Sequence, residues 1–240
     1  MKFFNQILDF FLPRICVTCN FPLNANQKLL CPNCVTQISS PSPEVLQKEY
    51  ERKFLDDSFV NDFAAAFIFK SEKAIQDVVH SLKYQRRFGS GVWLGKMAGD
   101  ILQNKILNWQ ADLILPVPLH TLKKAERGFN QSYFIAKGIS KQLGVKTKPG
   151  VIKRIKFTET QTHLNSLERK ANIRNAFKLK KQKLIKNKSI ILIDDVVTTG
   201  ATINECARIL KEGGALKVFA LSAALADYQF TSSREPKHQV

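Results

Sequence analysis

The sequence predicts an α/β protein, a parallel sheet flanked by helices, with a small cysteine-rich module near the N-terminal end. Apolar runs of strand length alternate with helical patterns from residue 57 onward. The continuous apolar run Ile190–Ile193 is typical of a strand that is buried on both faces of a parallel sheet. Four of the five cysteines fall within residues 16–34, which indicates a separate metal-binding or cross-linked unit.

Composition favours one main domain with a small appendage. At 240 residues, with 44% hydrophobic and 10% aromatic residues, the chain is long and apolar enough to bury a core. No run is long enough to predict a membrane span. Residues 1–13 predict a short amphipathic helix that ends at Pro13, because polar residues interrupt the run and no cleavage site follows. We therefore expect a cytoplasmic protein, with peripheral attachment at the inner face of the membrane as the alternative.

The four N-terminal cysteines form two CxxC pairs with eleven residues between them: Cys16, Cys19, Cys31 and Cys34. A CxxC turn directs two thiolates at one metal, and four soft ligands suit tetrahedral Zn²⁺. Four protein ligands leave no open coordination position, so this zinc is expected to be structural. Two disulfides or a redox-active CxxC are the alternatives, and the lack of a secretory signal disfavours disulfides.

The remaining elements are predicted in order from their apolar periodicity. They are a strand at 62–69, helices at 71–84 and 91–107, a strand at 111–119, a helix at 129–144, strands at 150–155 and 189–195, a helix at 202–214 and a strand at 216–225. Ser/Pro punctuation at 39–43 predicts a boundary. We expect a cysteine module at 1–42, a linker helix at 43–56, the main domain at 57–228 and a polar tail at 229–240. Cys206 falls in the helix at 202–214 and is expected to be a small buried side chain.

Positive charge is concentrated in one block of the chain. The formal charge is +17, and residues 137–188 contain 16 Lys and Arg against two acids. A basic block favours a polyanionic partner, either a phosphorylated metabolite or a nucleic-acid backbone. A solvated lysine-rich surface is the alternative, because charge alone says little about partners.

Two carboxylates and a polar loop follow the strand at 189–195. Asp194 and Asp195 stand at its carboxyl end, the edge at which open α/β sheets bind ligands. The next residues offer backbone N–H groups, three hydroxyls and a glycine before a helix: Val196, Val197, Thr198, Thr199, Gly200, Ala201 and Thr202. Such a loop suits a phosphate monoester. The carboxylates repel phosphate but accept hydrogen bonds from a diol, which predicts a ribose with a 5′-phosphate.

At these residues the chain resembles the type I phosphoribosyltransferases, whose fingerprint is four apolar residues, two acids and a threonine- and glycine-rich loop. Together with LPVPLH at 115–120, RGFNQS at 127–132, TQTHLNSLERKANIRNAF at 160–177 and the two CxxC pairs, the sequence is similar to the ComF family of competence proteins. The resemblance implies the type I phosphoribosyltransferase fold, binding of phosphoribosyl pyrophosphate with Mg²⁺, and a role in DNA uptake.

The resemblance also implies further site residues. The loop 116–120 becomes the candidate pyrophosphate loop, with Lys123, Lys124 and Arg127 as nearby cations; a proline-rich turn with solvated lysines is the alternative. His120 is expected either to contact the ligand or to cap the next helix. Residues 158–174 correspond to a mobile lid in which ligand contacts are assigned to Gln161, Thr162, His163, Arg169 and Arg174. A solvated loop has the same composition.

Two functions of different classes are compatible with the sequence. One is a DNA-uptake protein that binds phosphoribosyl pyrophosphate and single-stranded DNA, together with other uptake or recombination proteins. The other is an active phosphoribosyltransferase with an unknown acceptor, in which Asp194 and Asp195 position the ribose while cations and Mg²⁺ neutralise the leaving pyrophosphate. The sequence offers no obvious general base for an incoming nucleophile, so a ligand sensor is compatible with the same residues.

Overall fold

A five-stranded parallel sheet forms the centre of the protein. The structure is a computed structural model that describes residues 14–57, 59–69, 74–157 and 172–226. In these residues the strands are β1 (Asp62–Phe69), β2 (Leu113–Pro116), β3 (Lys146–Thr147), β4 (Ile152–Arg154), β5 (Phe177–Leu179), β6 (Ser189–Val197) and β7 (Lys217–Ala226). The order across the sheet is β1-β7-β6-β2-β3, and β4 pairs with β5 in a separate antiparallel ribbon. The long strand β6 therefore lies in the middle, between β7 and β2.

Helices cover both faces of the sheet. The described α-helices are α1 (Pro32–Val35), α2 (Pro43–Tyr50), α3 (Ala74–Tyr84), α4 (Phe88–Ile101), α5 (Gln103–Asn108), α6 (Thr121–Arg127), α7 (Gln131–Leu143) and α8 (Ala201–Glu212). A π-helical turn, Glu51–Leu55, continues α2, and a 3₁₀ turn spans Gln182–Leu184. This arrangement confirms the predicted α/β class.

Alternate residues of the central strand β6 pack into two separate hydrophobic cores, one on each face of the sheet. This is why the run at 190–193 contains no polar residue. Ile191 and Ile193 pack into a cluster with side chains of α3, α4 and α7. Ile190 and Leu192 pack on the other face, with side chains of α8 and the segment that includes α2. Successive side chains of a strand point to opposite faces, so a strand that is covered twice must be apolar at every position.

The N-terminal segment contributes to both faces of the sheet. Leu29 and Leu30 of the cysteine-rich stretch belong to the same buried cluster as α3 and α4, and the Ile68 N–H of β1 donates to the Ser39 carbonyl at 2.9 Å. The chain then passes to the other face, where Leu46 and Phe54 belong to the cluster under α8. Residues 14–57 are thus joined to the main sheet through its buried cores.

Three local features differ from the sequence expectation. The helix predicted at 91–107 is two helices, because Leu102 has φ −103° and ψ 12° and interrupts the helical backbone. The strand predicted at 150–155 lies outside the main sheet and pairs with β5. The edge position is filled by β3, a two-residue strand that was too short to predict. The helix expected at 1–13 and the tail at 229–240 lie outside the described residues.

Candidate functional site

The predicted phosphate loop, residues 196–202, lies at the carboxyl end of β6 and leads into α8. β6 extends to Val197 and α8 begins at Ala201, so only three residues connect them. Gly200 is the N-cap of α8 with φ 77°, a left-handed conformation that glycine adopts without strain. The first N–H groups of an α-helix have no partner within the helix. The loop and the α8 N-terminus therefore present donors and a positive dipole end to one space.

Asp194 receives two hydrogen bonds. The Ser132 hydroxyl, in the first turn of α7, donates to Asp194 Oδ1 at 3.0 Å, and the Asp195 N–H donates to the same oxygen at 2.9 Å. Burial and, second, the charge of Asp195 raise the pKa of Asp194 to about 7. At neutral pH this group is therefore divided between the protonated and ionised forms.

Asp195 is paired with a lysine that comes from another part of the fold. Lys83 Nζ, in the last turn of α3, lies 2.8 Å from Asp195 Oδ2, and the Lys83 side chain is 22% exposed. The Val196 N–H donates to the other carboxylate oxygen at 2.8 Å. The neighbouring carboxylates thus differ in their surroundings, and Lys83 places a cation beside Asp195.

Three more cations belong to the same group of charges: Arg154 interacts with Asp194, and Lys123 interacts with Arg127, Arg154 and Lys83. Lys123 and Arg127 are partly buried on α6, and Arg154 on β4 is partly buried as well. Burial lowers the pKa of Lys123, and the charges of Arg127 and Arg154 lower it further. Burial also lowers the pKa of Arg154, although the charge of Asp194 acts in the opposite direction. Like charges held this close favour a polyanion, so the arrangement suits pyrophosphate.

His120 is the helix cap that the sequence offered as one alternative. Its Nδ1 accepts a hydrogen bond from the Leu122 N–H at 3.3 Å at the start of α6. Its ring also packs 5.2 Å from the ring of Phe157. In the predicted lid, Arg174 is described and exposed. The other predicted lid contacts, Gln161, Thr162, His163 and Arg169, lie outside the described residues.

The underside of the phosphate loop is built by the turn Glu51–Leu55. Lys53 Nζ donates to the Thr198 carbonyl, and the Phe54 ring lies where a side chain on Gly200 would have to go: an added Cβ meets Phe54 Cε1 at 2.9 Å. Asn204 of α8 donates through Nδ2 to the Lys53 carbonyl at 2.7 Å. The segment 43–56, which the sequence presents as a linker helix, therefore contacts the loop directly.

The four cysteines converge at one point. The Sγ atoms of Cys16, Cys19, Cys31 and Cys34 lie within 4.8 Å of one another. Thiolates about 2.3 Å from a tetrahedral Zn²⁺ are separated by about 3.8 Å, so the cluster can hold a metal. Burial opposes ionisation of Cys16, but backbone hydrogen bonds from Cys19 and Cys31 lower its pKa to about 6; burial and the neighbouring thiols raise the pKa of Cys34. A bound cation would remove this conflict between neighbouring thiolates.

The C-terminal part of the basic block lies away from the carboxylates. Lys180, Lys181, Lys183 and Lys186 are all exposed and precede β6. Lys188, which is paired with Asp112 at 2.7 Å, directly precedes the first residue of β6. Asp194 is the sixth residue of that strand, about 20 Å further along at about 3.3 Å per residue. The exposed lysine face, formed by Lys180, Lys181, Lys183 and Lys186, therefore lies toward the amino end of β6, and the strand-end site lies toward its carboxyl end.

Sequence reasoning missed several of these residues. Ser132 could have been predicted, since it is the last residue of the RGFNQS stretch at 127–132. Lys53, Lys83 and Arg154 carry no comparable signal, because a single cation in a helix or strand has no spacing that distinguishes it from a solvated one. The prediction for Cys206 is confirmed, since its side chain in α8 is fully buried.

A family model and the fold agree. Residues 130–230 match the model described as phosphoribosyl transferase domain. That region contains α7, β6, the phosphate loop and β7, and the fold is that of the type I phosphoribosyltransferases. A purine phosphoribosyltransferase from Pyrococcus horikoshii is similar over 55% of this chain and 74% of its own, with 21% identity and a TM-score of 0.37.

Curated relatives extend the likeness towards the N-terminus. Competence protein F of Haemophilus influenzae is 34% identical over 47% of this chain, and the matched part spans 51% of that protein, about half of its length. DNA utilization protein YhgH of Escherichia coli O6:H1 is 30% identical over 85% of this chain and 87% of its own. No described helix is both long enough and apolar enough to span a membrane. The match to the phosphoribosyl transferase domain, the four-cysteine cluster and the similarity to these relatives agree: the chain belongs to the ComF family of competence proteins.

Proposed function

We propose that this protein acts in DNA uptake or utilization and binds phosphoribosyl pyrophosphate at the carboxyl end of β6. The observation that supports the proposal is that β2 and β6 are parallel neighbours, so that α6 follows β2 on the side of the sheet where Asp194, Asp195 and the phosphate loop end β6. The curated relatives are named competence protein F and DNA utilization protein, which supports the DNA role over a transferase of nucleotide metabolism.

Each part of phosphoribosyl pyrophosphate has a counterpart in the proposed site. The N–H groups of residues 198–202, which follow the end of β6, hold the 5′-phosphate; the Val196 N–H donates to Asp195 instead. Asp194 and Asp195 accept hydrogen bonds from the 2′ and 3′ hydroxyls of the ribose. Lys123 and Arg127 face the pyrophosphate, and Mg²⁺ when bound supplies further neutralisation of its charge.

Calorimetry of the ligand with Mg²⁺ tests this function. The Asp194→Asn, Asp195→Asn double variant is compared with the wild type at pH 8. We expect the affinity of the variant to fall at least tenfold, because each amide replaces one of the acceptor positions of the diol with a donor. Asp112→Asn, a carboxylate at the opposite end of β6, is the matched control. Equal affinity in the double variant and the wild type would remove the ribose role.

We further propose that the exposed lysine face binds single-stranded DNA with little sequence preference. Support comes from the charge of residues 137–188 and from the exposure of Lys180, Lys181, Lys183 and Lys186. Phosphate neutralisation with counterion release supplies the affinity. Because this face lies toward the other end of β6, DNA and phosphoribosyl pyrophosphate can bind the same molecule at once.

The cysteine cluster completes the proposal with a structural zinc. Four converging thiols and no fifth side-chain ligand among the described residues of the cluster suit a closed tetrahedral site. The metal would hold together the residues that pack, through Leu29 and Leu30, against the main core.

A further inference from the structure

We propose that Lys53 is a positioning residue for the phosphate loop, so that the turn Glu51–Leu55 is part of the phosphoribosyl site. This inference rests on the proposed function, since it concerns the loop to which the 5′-phosphate is assigned. It adds to that site a residue from a segment that precedes the main domain and lies outside residues 130–230.

The first argument is the burial of a charged side chain. Lys53 is 3% exposed, and lysine is almost never this buried unless it is paired. Its Nζ lies 2.8 Å from Glu49 Oε2, one turn earlier in the same helix. Burial lowers the pKa of Lys53, whereas the hydrogen bond and charge of Glu49 raise it. The side chain passes under the loop and donates to the Thr198 carbonyl. A lysine on the surface would instead extend its ammonium group into water.

The second argument is that the same turn contacts the loop region at further points. The Phe54 ring fills the space beside Gly200, and its side chain is fully buried. Asn204 Nδ2 donates both to the Lys53 carbonyl at 2.7 Å and to Asp57 Oδ2 at 3.0 Å. The backbone here is π-helical, a rare conformation that occurs often at functional sites. The turn is therefore fixed to the loop and to α8 by independent contacts.

The third argument is the geometry of a peptide group. In a trans peptide the C=O and the following N–H point in opposite directions. Lys53 holds the Thr198 carbonyl on the inner side of the loop, so the Thr199 N–H points to the outer side, where an anion can accept it. A charged donor makes a stronger hydrogen bond than a neutral one. Lys53 thus fixes the orientation of a phosphate-binding N–H and places a positive charge behind it.

The test compares two ligands that use different parts of the site. Affinities of ribose 5-phosphate and of inorganic pyrophosphate are measured by calorimetry on the full chain. Lys53→Met keeps the length of the side chain and removes its charge and its donor. We expect the affinity for ribose 5-phosphate to fall about tenfold to a hundredfold, and that for pyrophosphate to change less than about twofold because α6 holds it. Lys48→Met, an exposed lysine of α2, is the matched control and leaves both affinities unchanged.

Each outcome decides between the two proposals. If the wild type binds neither ligand, the proposed function fails. If the wild type binds both and Lys53→Met binds ribose 5-phosphate equally well, the role of Lys53 is wrong while the proposed function stands. An equal loss of both ligands indicates a purely structural lysine and also overturns the inference. Lys53→Gln keeps a polar donor in the buried position and decides the question if the methionine variant does not fold. We expect it to lose affinity for ribose 5-phosphate but not for pyrophosphate, with a smaller loss than in Lys53→Met.

Discussion

Asp194 and Asp195 are adjacent in sequence, yet their environments separate them. Asp194 is partly buried and accepts a hydrogen bond from Ser132, whereas Asp195 is paired with Lys83. Two adjacent carboxylates disfavour ionisation of both at once, and burial, followed by the charge of Asp195, raises the pKa of Asp194. The carboxylate pair therefore has one member that titrates near neutral pH, which makes the ligand affinity and the stability of the site depend on pH.

Replacing Asp194 with Asn should stabilise the protein, and only at higher pH. The pKa of Asp194 is raised from 3.8 to about 7 on folding. The folded state thus binds the proton more tightly, so this group lowers stability increasingly as the pH rises from about 4 to 7, and the penalty is absent below that window. We expect Asp194→Asn to match the wild type near pH 4 and to be more stable by roughly 1–3 kcal/mol at pH 8. Thermal unfolding across this range measures it.

Asp112→Asn provides the control with the opposite sign. Its hydrogen bonds to Lys188 and to the Ser189 N–H lower the pKa of Asp112. This carboxylate therefore stabilises the fold above its unfolded pKa and loses that effect as the pH falls, so the Asn variant should be less stable than the wild type at pH 8. A stability difference of the same sign in the Asp112 and Asp194 variants would contradict the assignment of the raised pKa.

At the scale of residues, the sequence predicted those groups whose chemistry and spacing coincide. The two aspartates, the threonines and Gly200 stand together, and so do the four cysteines. Lys53 and Lys83 approach the site from 145 and 112 residues away in the chain, through packing that no local pattern encodes. Their roles depend on where α2 and α3 dock, which is a property of the folded cores.

Among the elements, the loop between β6 and α8 places two demands on one glycine, a left-handed backbone and a close neighbour. Gly200→Ala should destabilise the protein by roughly 2–4 kcal/mol and weaken ribose 5-phosphate binding, because its φ is 77° and the new Cβ would meet the buried Phe54 ring at 2.9 Å. Chemical denaturation and calorimetry on the same preparation measure the two effects.

Gly144→Ala separates strain from contact. Gly144 also has a left-handed backbone, with φ 75°, but an added Cβ there meets nothing within 4 Å. We expect that variant to lose only about 1 kcal/mol and to keep its ligand affinity. If both alanine variants behave alike, the Phe54 contact has no energetic role.

The cysteine cluster predicts one zinc per chain in protein purified under reducing conditions, and elemental analysis measures it. Cys16→Ser should remove the metal and destabilise the N-terminal segment by several kcal/mol, because metal binding and folding share their free energy. Cys206→Ser is the control, since this cysteine is buried in α8 and its replacement leaves the zinc content unchanged. A zinc content well below one per chain in the wild type would contradict the zinc site.

Elements with a strong period were predicted closely, and the short ones were not. β1 spans the predicted residues 62–69, and α8 begins within one residue of its prediction. β3 has two residues and β5 has three, too few to show a period of two. The break between α4 and α5 falls at Leu102, which is neither proline nor glycine, so no residue type in the sequence indicates it.

On the scale of the whole molecule, the charge distribution predicts salt-dependent DNA binding. Each single-strand phosphate contact contributes about −0.7 to the slope of log affinity against log salt, so four contacts lower the affinity about 50-fold for a fourfold rise in salt. Replacing Lys180, Lys181, Lys183 and Lys186 with Glu should weaken binding of a single-stranded oligonucleotide and flatten this slope. Fluorescence anisotropy in a salt series measures both, while phosphoribosyl pyrophosphate binding stays intact.

A variant with the same change in net charge provides the control. Lys28, Lys48, Lys96 and Lys217 are also exposed but lie outside the block. Their replacement with Glu should leave the slope closer to that of the wild type. An equal loss in both variants would mean that overall charge, rather than this face, attracts DNA.

The sheet order carries a consequence for synthesis of the chain on the ribosome. β1 lies at an edge of the sheet and pairs there with β7, the last strand of the described chain. About 150 residues separate the end of β1 from the start of β7, which is roughly 8–30 s of translation at ~5–20 residues per second. During that interval Phe63 and Phe67 have no strand to complete their cores. Lys53 and Thr198 are 145 residues apart in the chain, so the two meet only after the whole segment between them has been made.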